Sequence, residues 1–171
     1  MWGEPVRTPL LQEEVLISIA SRALPFQERR VMIYSNCHFH VKKSHFGYDR
    51  QDAMNQVKKD LVFYEPTPLP RSESWKKQSQ YAFVLSPHGN GLDCHRTWEA
   101  LALGCIPIVK TSSLDPLYED MPVLIVAQWS DVSLNKLYET IHSFQNRSFC
   151  YEKLRLEYWM KKIRAFLPIK K

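Results

Sequence analysis

Gly89, Asn90 and Gly91 stand between the apolar run Tyr81–Leu85 and a stretch of helical periodicity over residues 94–103. Glycine lets the backbone approach a phosphate closely. A helix N-terminus gathers unpaired N–H groups and a partial positive charge. Such a segment suits anion binding, although a tight turn without a ligand has the same signature. The helix adds more. Arg96 and Glu99 lie near its start, turned away from Cys94, Trp98, Leu101 and Ala102, the side predicted to pack on a sheet. Arg96 can offer a fork of donors to a phosphate. Glu99 can accept from two adjacent ribose hydroxyls, as an acidic residue does in dinucleotide-binding folds. The same spacing also suits an exposed ion pair worth a few tenths of a kcal/mol. Trp98 reads as core rather than as a stacking platform.

Other groups carry weaker signals. Lys110, beside Thr111 and Ser112 at the end of an apolar run, is a candidate contact for a diphosphate. Asn36, His40, Lys42 and Lys43 follow another such run and could reach a phosphate or form a solvated loop. His38 and His40, next to Cys37, put two histidines on one face of a strand end; no third metal ligand is identifiable, so no metal is expected. Cys94 and His95 are adjacent on a helix, so their side chains diverge and do not make a nucleophile–base pair.

The elements that must position these groups alternate. A helix is predicted over residues 13–24, with Val15, Ile19 and Arg22 along one side, then a strand over Arg30–Ser35. Asp49 is predicted to cap a helix reaching residue 59. A short strand over 61–64, a proline-rich loop over 65–71 and a helix over 73–80 lead to the strand Tyr81–Leu85. After the glycine loop come the helix over 94–103, closed by Gly104, and strands over 106–109 and 122–126. Ser133 is predicted to cap a helix to residue 144 with Leu134, Leu137, Tyr138 and Ile141 on one side. A last helix spans 150–166. Short, nearly all-apolar strands separated by helices imply an α/β fold: a Rossmann-like, doubly wound parallel sheet of about five strands, helices on both faces and a C-terminal helix. Residues 1–171 read as one domain, with an N-terminal helical extension (1–25), a Rossmann-like lobe (30–145) and the C-terminal helix (149–167). In such a sheet ligands sit outside the carboxyl ends of the strands, so the largest cleft is expected there, near Gly89, Arg96, Glu99 and Lys110.

Composition sets the outer bounds. With 171 residues, 44% hydrophobic and 12% aromatic, the chain can build a core, which excludes disordered, collagenous and coiled-coil classes. The formal charge of +5 is mild and suits an anionic small ligand as well as RNA or a membrane surface. The four cysteines form no CxxC pair and read as buried thiols of a reducing compartment. No apolar run is long enough for a membrane helix or a signal sequence, so the chain reads as soluble. Lys153, Arg155, Lys161, Lys162 and Arg164 form either a solvated face or a patch for a membrane or acidic partner.

The run SPHGNGLDCHRTWEALALGCIPIVK, followed after Thr111 by SSLDPLYEDMPVLIVAQWSDV, resembles the nucleotide-sugar-binding half of exostosin-like glycosyltransferases, with viral and algal members most similar. The shared motif is a small-residue, Pro and Gly loop, then Arg-x-Trp-Glu-Ala-Leu, then Gly-Cys-Ile-Pro-Ile-Val. The resemblance is strong over residues 81–132 and weaker over 30–59. It implies a two-lobed GT-B architecture whose C-terminal lobe holds the donor, UDP-linked in preference. It also implies transfer to a glycan or protein acceptor with inversion, without a metal or cofactor, and no nucleic acid partner. Carried over, Glu99 would hold ribose, Arg96 would face the diphosphate, and Gly89, Asn90 and Gly91 would supply backbone donors.

Two departures follow. Many relatives carry Arg where this chain has His88, so phosphate affinity here is expected to be weaker or pH-dependent. A two-lobed enzyme needs roughly twice this length, leaving little room for an acceptor lobe, and the catalytic base is not identifiable. The missing N-terminal lobe would lie on another chain, or the protein would be a non-catalytic nucleotide-sugar-binding module or a vestigial half of such an enzyme. A longer, membrane-anchored parent would place the lobe in the Golgi lumen; the chain as given suits the cytoplasm.

Overall fold

A computed structural model describes residues 9–37 and 48–166. The chain runs α1 (Pro9–Ala20), β1 (Arg30–Ser35), α2 (Asp49–Gln56), β2 (Val62–Tyr64), α3 (Arg71–Gln78), β3 (Tyr81–Leu85), α4 (His95–Ala102), β4 (Ile106–Lys110), β5 (Leu124–Val126), α5 (Leu134–Phe144) and α6 (Leu156–Phe166). The five strands form one parallel sheet in the order β2-β1-β3-β4-β5. The chain moves outward from β1 to β2, then returns past β1 to β3. Connections therefore diverge between β1 and β3, and that divergence opens a crevice at the carboxyl edge. β3 and β4 are adjacent and parallel, as the sequence predicts, with Phe83 opposite Ile106 and Leu85 opposite Ile108.

β3 is central, and all five of its residues are buried. Alternation splits them between two layers. Phe83 and Leu85 join Ala53, Val57, Trp129, Leu137 and Ile141, the apolar groups of the α2 and α5 side. Val84 faces Trp75, Ala100 and Leu103, packed in turn by Val15, Leu16 and Ile19 of α1. Helices thus cover both faces. Each fully buried Leu, Ile or Phe contributes roughly 1.5–3 kcal/mol. A third cluster, with Leu101, Val109, Tyr118, Met121 and Val123, closes the β4 side.

Several boundaries differ from the sequence expectation. α1 lies over Pro9–Ala20, and Arg22, beyond its end, is exposed. α3 begins at Arg71, because extended Pro70 stands at its N-cap. Asp49 is the first helical residue and caps nothing; Tyr48 occupies the N-cap. Ser133 does cap α5, accepting from the Lys136 N–H. Only Leu137 and Ile141 of the expected apolar side are buried, while Leu134 and Tyr138 are exposed, because α5 meets the core along a narrow seam. Gly104 ends α4 at φ +72°, as expected. The predicted last helix is broken: a 3-10 turn over Tyr151–Leu154 ends at extended Arg155, and α6 follows with Leu156, Ile163 and Phe166 exposed. No helix among the described residues is long and apolar enough to cross a membrane.

Candidate functional site

A cleft of about 230 Å³ opens where β1, β2 and β3 deliver their carboxyl ends. Asn36 and Cys37 enter it from the end of β1, and Glu65 and residues 66–69 from the loop after β2. Arg71, Ser74 and Trp75 of α3, Arg50 of α2, and His95, Arg96 and Glu99 of α4 complete the wall. The parallel topology explains the gathering. Each helix starts at the edge where the preceding strand ends, so residues in the first turns of different helices converge there.

Arg96 is only 7% exposed, and its Nη1 has no hydrogen-bond partner among the described residues. The exposed ion pair with Glu99 that the spacing also suits is not among the ion pairs of the described residues. Glu99 instead lies 4.0 Å from Nε of Arg71, because the start of α3 packs beside this face of α4. Arg71 also donates from Nη1 to Oε1 of Gln12 at 2.7 Å and lies over the Trp75 ring. Asn36 donates to Oγ of Ser74 at 2.7 Å. Glu65 accepts from Nζ of Lys77 at 2.9 Å and from the Tyr34 hydroxyl at 3.1 Å. Burial pushes the Tyr34 phenol well above its ordinary value, with the Glu65 charge acting in the same direction against a hydrogen bond from Ser74. His95 is exposed as a residue, but partial desolvation of its ring lowers it, opposed by Glu99 and reinforced by the charges of Arg96, Arg71 and Arg50.

Of the residues singled out from sequence, Asn36, Arg96 and Glu99 meet in this cleft. His88, Gly89, Asn90, Gly91 and Lys110 do not line it. The His88 N–H donates to Oδ2 of Asp49 at 2.8 Å, its Nδ1 lies 3.7 Å from that same oxygen, and its carbonyl accepts from Nε of Arg50. The Gly89 N–H donates to the Gly91 carbonyl at 3.1 Å, so it is not offered to a ligand. A side chain at Gly89 would put its Cβ 2.9 Å from Nη2 of Arg50, so the missing side chain makes room for this guanidinium. Lys110, half-buried, ends β4, beyond β3 from the cleft. Trp98 is half-buried against Tyr118, its indole N–H on Asp93 at 2.7 Å, rather than under the sheet. His38, His40, Lys42 and Lys43 lie outside the described residues, and no three His, Cys, Asp or Glu side chains among those described are grouped as metal ligands.

Among the described residues a cavity larger than this cleft lies elsewhere, so the expectation that the largest cleft would be at the carboxyl edge is not met. About 880 Å³ opens at the amino edge, between α1, α3 and the start of β1. It exists because α1 leans across that edge without filling it.

Sequence reasoning missed Arg50 and Arg71. The signal was present as an arginine in the first two residues of α2, α3 and α4, but it becomes visible only once these helices are known to start at one edge. The chain matches no protein-family model and no curated protein.

Proposed function

We propose that this chain is the donor-binding lobe of a glycosyltransferase, holding the diphosphate and ribose of a nucleoside-diphosphate sugar, UDP-linked in preference, in the carboxyl-edge cleft. The observation that carries the reading is Arg96, a buried guanidinium with an unpartnered Nη1 on the cleft wall, one helical turn from Glu99. An unsatisfied buried donor costs roughly 1–3 kcal/mol, more when charged. A phosphate oxygen would remove that cost, and Glu99 at the mouth can accept from ribose hydroxyls. The long motif over residues 86–132, which resembles exostosin-like transferases, supports the same assignment.

The chemistry follows from the donor. An acceptor hydroxyl on a glycan or glycoprotein attacks the anomeric carbon from the face opposite the diphosphate. The new C–O bond forms as the bond to the diphosphate oxygen breaks, and the electron pair leaves with the diphosphate. A base takes the hydroxyl proton. Arg96 stabilises the charge that develops on the leaving group. The residue that acts as this base is not identified, and in a two-lobed enzyme the acceptor would be held by the other lobe.

A thermal-shift panel of UDP, GDP and their sugars tests this. A ligand at 100 times its Kd should add about 2.7 kcal/mol of stability. No stabilisation by any nucleoside diphosphate or its sugar would overturn the reading. Binding without hydrolysis or transfer to any acceptor would leave a non-catalytic binding module.

A further inference from the structure

α2, α3 and α4 each follow a strand, and each carries an arginine at its head. Arg50 is the second residue of α2, Arg71 the first of α3 and Arg96 the second of α4. All three line the cleft. We propose that Arg50, Arg71 and Arg96 form one cradle for a diphosphate, and that the loop at Gly89 supports this cradle by seating Arg50. The identity of the ligand as a nucleotide rests on the function proposed above; the cradle itself requires only a pyrophosphate group.

Charge is the first argument. The wall brings three guanidiniums against two carboxylates, Glu65 and Glu99. Glu65 is already neutralised by Lys77 at 2.9 Å. Glu99 stands 4.0 Å from Arg71, beyond the roughly 2.7–2.9 Å of a charge-assisted hydrogen bond. The three cations also act together on His95, whose imidazole they help to keep neutral after the effect of desolvation.

Unmet hydrogen bonds are the second. Arg96 lines this wall, 7% exposed, and its buried Nη1 has no partner among the described residues. Buried donors are paired in the great majority of cases. A buried cationic donor left unpaired beside two further guanidiniums suits a ligand rich in acceptors, which a diphosphate is.

Size and the loop are the third. At about 230 Å³ the cleft falls below the roughly 300 Å³ at which pockets for whole small molecules begin, so it takes the diphosphate while the rest of the donor extends outward. The glycine loop is tied to Arg50, through the His88 carbonyl at 3.2 Å and the open side of Gly89. The loop thereby sets the position of one guanidinium.

Calorimetric titration of the full chain with inorganic pyrophosphate, UDP and uridine is the test, with urea melts to confirm folding. Arg71 is partly exposed, so Arg71→Gln should fold as wild type does. It should weaken pyrophosphate and UDP by roughly ten-fold or more, as expected for a lost charge-assisted bond, and leave uridine unchanged. Arg50→Gln should behave alike, and Arg96→Lys should retain more affinity than Arg96→Gln. Wild-type pyrophosphate affinity in both Arg71→Gln and Arg50→Gln would overturn the cradle, as would no pyrophosphate binding to wild type at millimolar concentration. Pyrophosphate binding that depends on these arginines but is not strengthened by the nucleoside of UDP would uphold the cradle and overturn the nucleotide reading. UDP binding indifferent to Arg50 and Arg71 would do the reverse.

Discussion

Trp129 donates its indole N–H to Oδ1 of Asp49 across 2.7 Å, although the two residues are 80 apart in sequence. The other oxygen of Asp49 accepts the His88 N–H at 2.8 Å. One buried carboxylate therefore ties the head of α2 to the loop ahead of α4 and to the turn after β5. Asp49→Ala would leave a buried donor on Trp129 and a half-buried one on His88 unsatisfied, each buried orphan costing about 1–3 kcal/mol. A loss of about 2–5 kcal/mol in urea melts is expected. A loss under about 1 kcal/mol would mean that water replaces the carboxylate at no cost.

Glu99→Gln separates ligand binding from folding. It keeps the shape of the side chain and removes its charge. UDP affinity by calorimetry should fall by roughly ten-fold or somewhat more. Stability should hardly change, because the contact with Arg71 is long and partly exposed. Unchanged UDP binding with a much earlier melt would make Glu99 a structural residue.

Trp129, on the α2 and α5 side of the sheet, and Trp98, in the cluster beside β4, should differ. Trp129 is fully buried in the larger core and Trp98 is half-buried against Tyr118. Trp129→Ala should cost about 3–5 kcal/mol or more, since a cavity and an orphaned carboxylate add to the lost burial. Trp98→Ala removes a partly solvated ring and should cost about 1–3 kcal/mol. Equal losses in parallel melts would contradict this ranking.

His95 supplies a pH dependence. Partial desolvation, together with Arg96, Arg71 and Arg50, holds it below its ordinary value of 6.5, against the opposing pull of Glu99. As pH falls, the unfolded chain therefore binds a proton at this residue before the folded chain does. The stability linked to His95 is present above pH 6.5 and is lost as pH falls through the folded value. Between pH 7.5 and pH 5, wild type should lose more stability than His95→Gln. Parallel loss in both would remove His95 from the cationic cluster.

Gly89→Ala probes the support beneath Arg50. The new Cβ would meet the far end of a flexible side chain at 2.9 Å, so the guanidinium shifts and the backbone holds. Stability should change by less than about 1 kcal/mol, while pyrophosphate affinity drops several-fold. Intact affinity in a folded variant would show that Arg50 reaches the ligand without this seat.

The apolar runs were legible because their chemistry is local. Arg30–Ser35 and Tyr81–Leu85 are strands with the predicted bounds, since unbroken apolar stretches between turn residues suit strands buried on both faces. The site was legible only where it is contiguous: Arg96 and Glu99 share one turn of α4, and a turn has a known period. The Gly89 N–H and the space beside it are used by Gly91 and Arg50, and nothing within the loop announces either partner. Arg50, Arg71 and Asp49 acquire their places through sheet order alone, which sends the heads of α2, α3 and α4 to one edge. Tertiary structure also turned Arg96 inward, since the start of α3 and the end of β1 wall in a face that helical periodicity assigns to solvent. Local sequence determined which segments form strands and helices, because backbone sterics and apolar periodicity act over a few residues; which charges meet was decided by topology, because that depends on contacts between segments far apart in the chain.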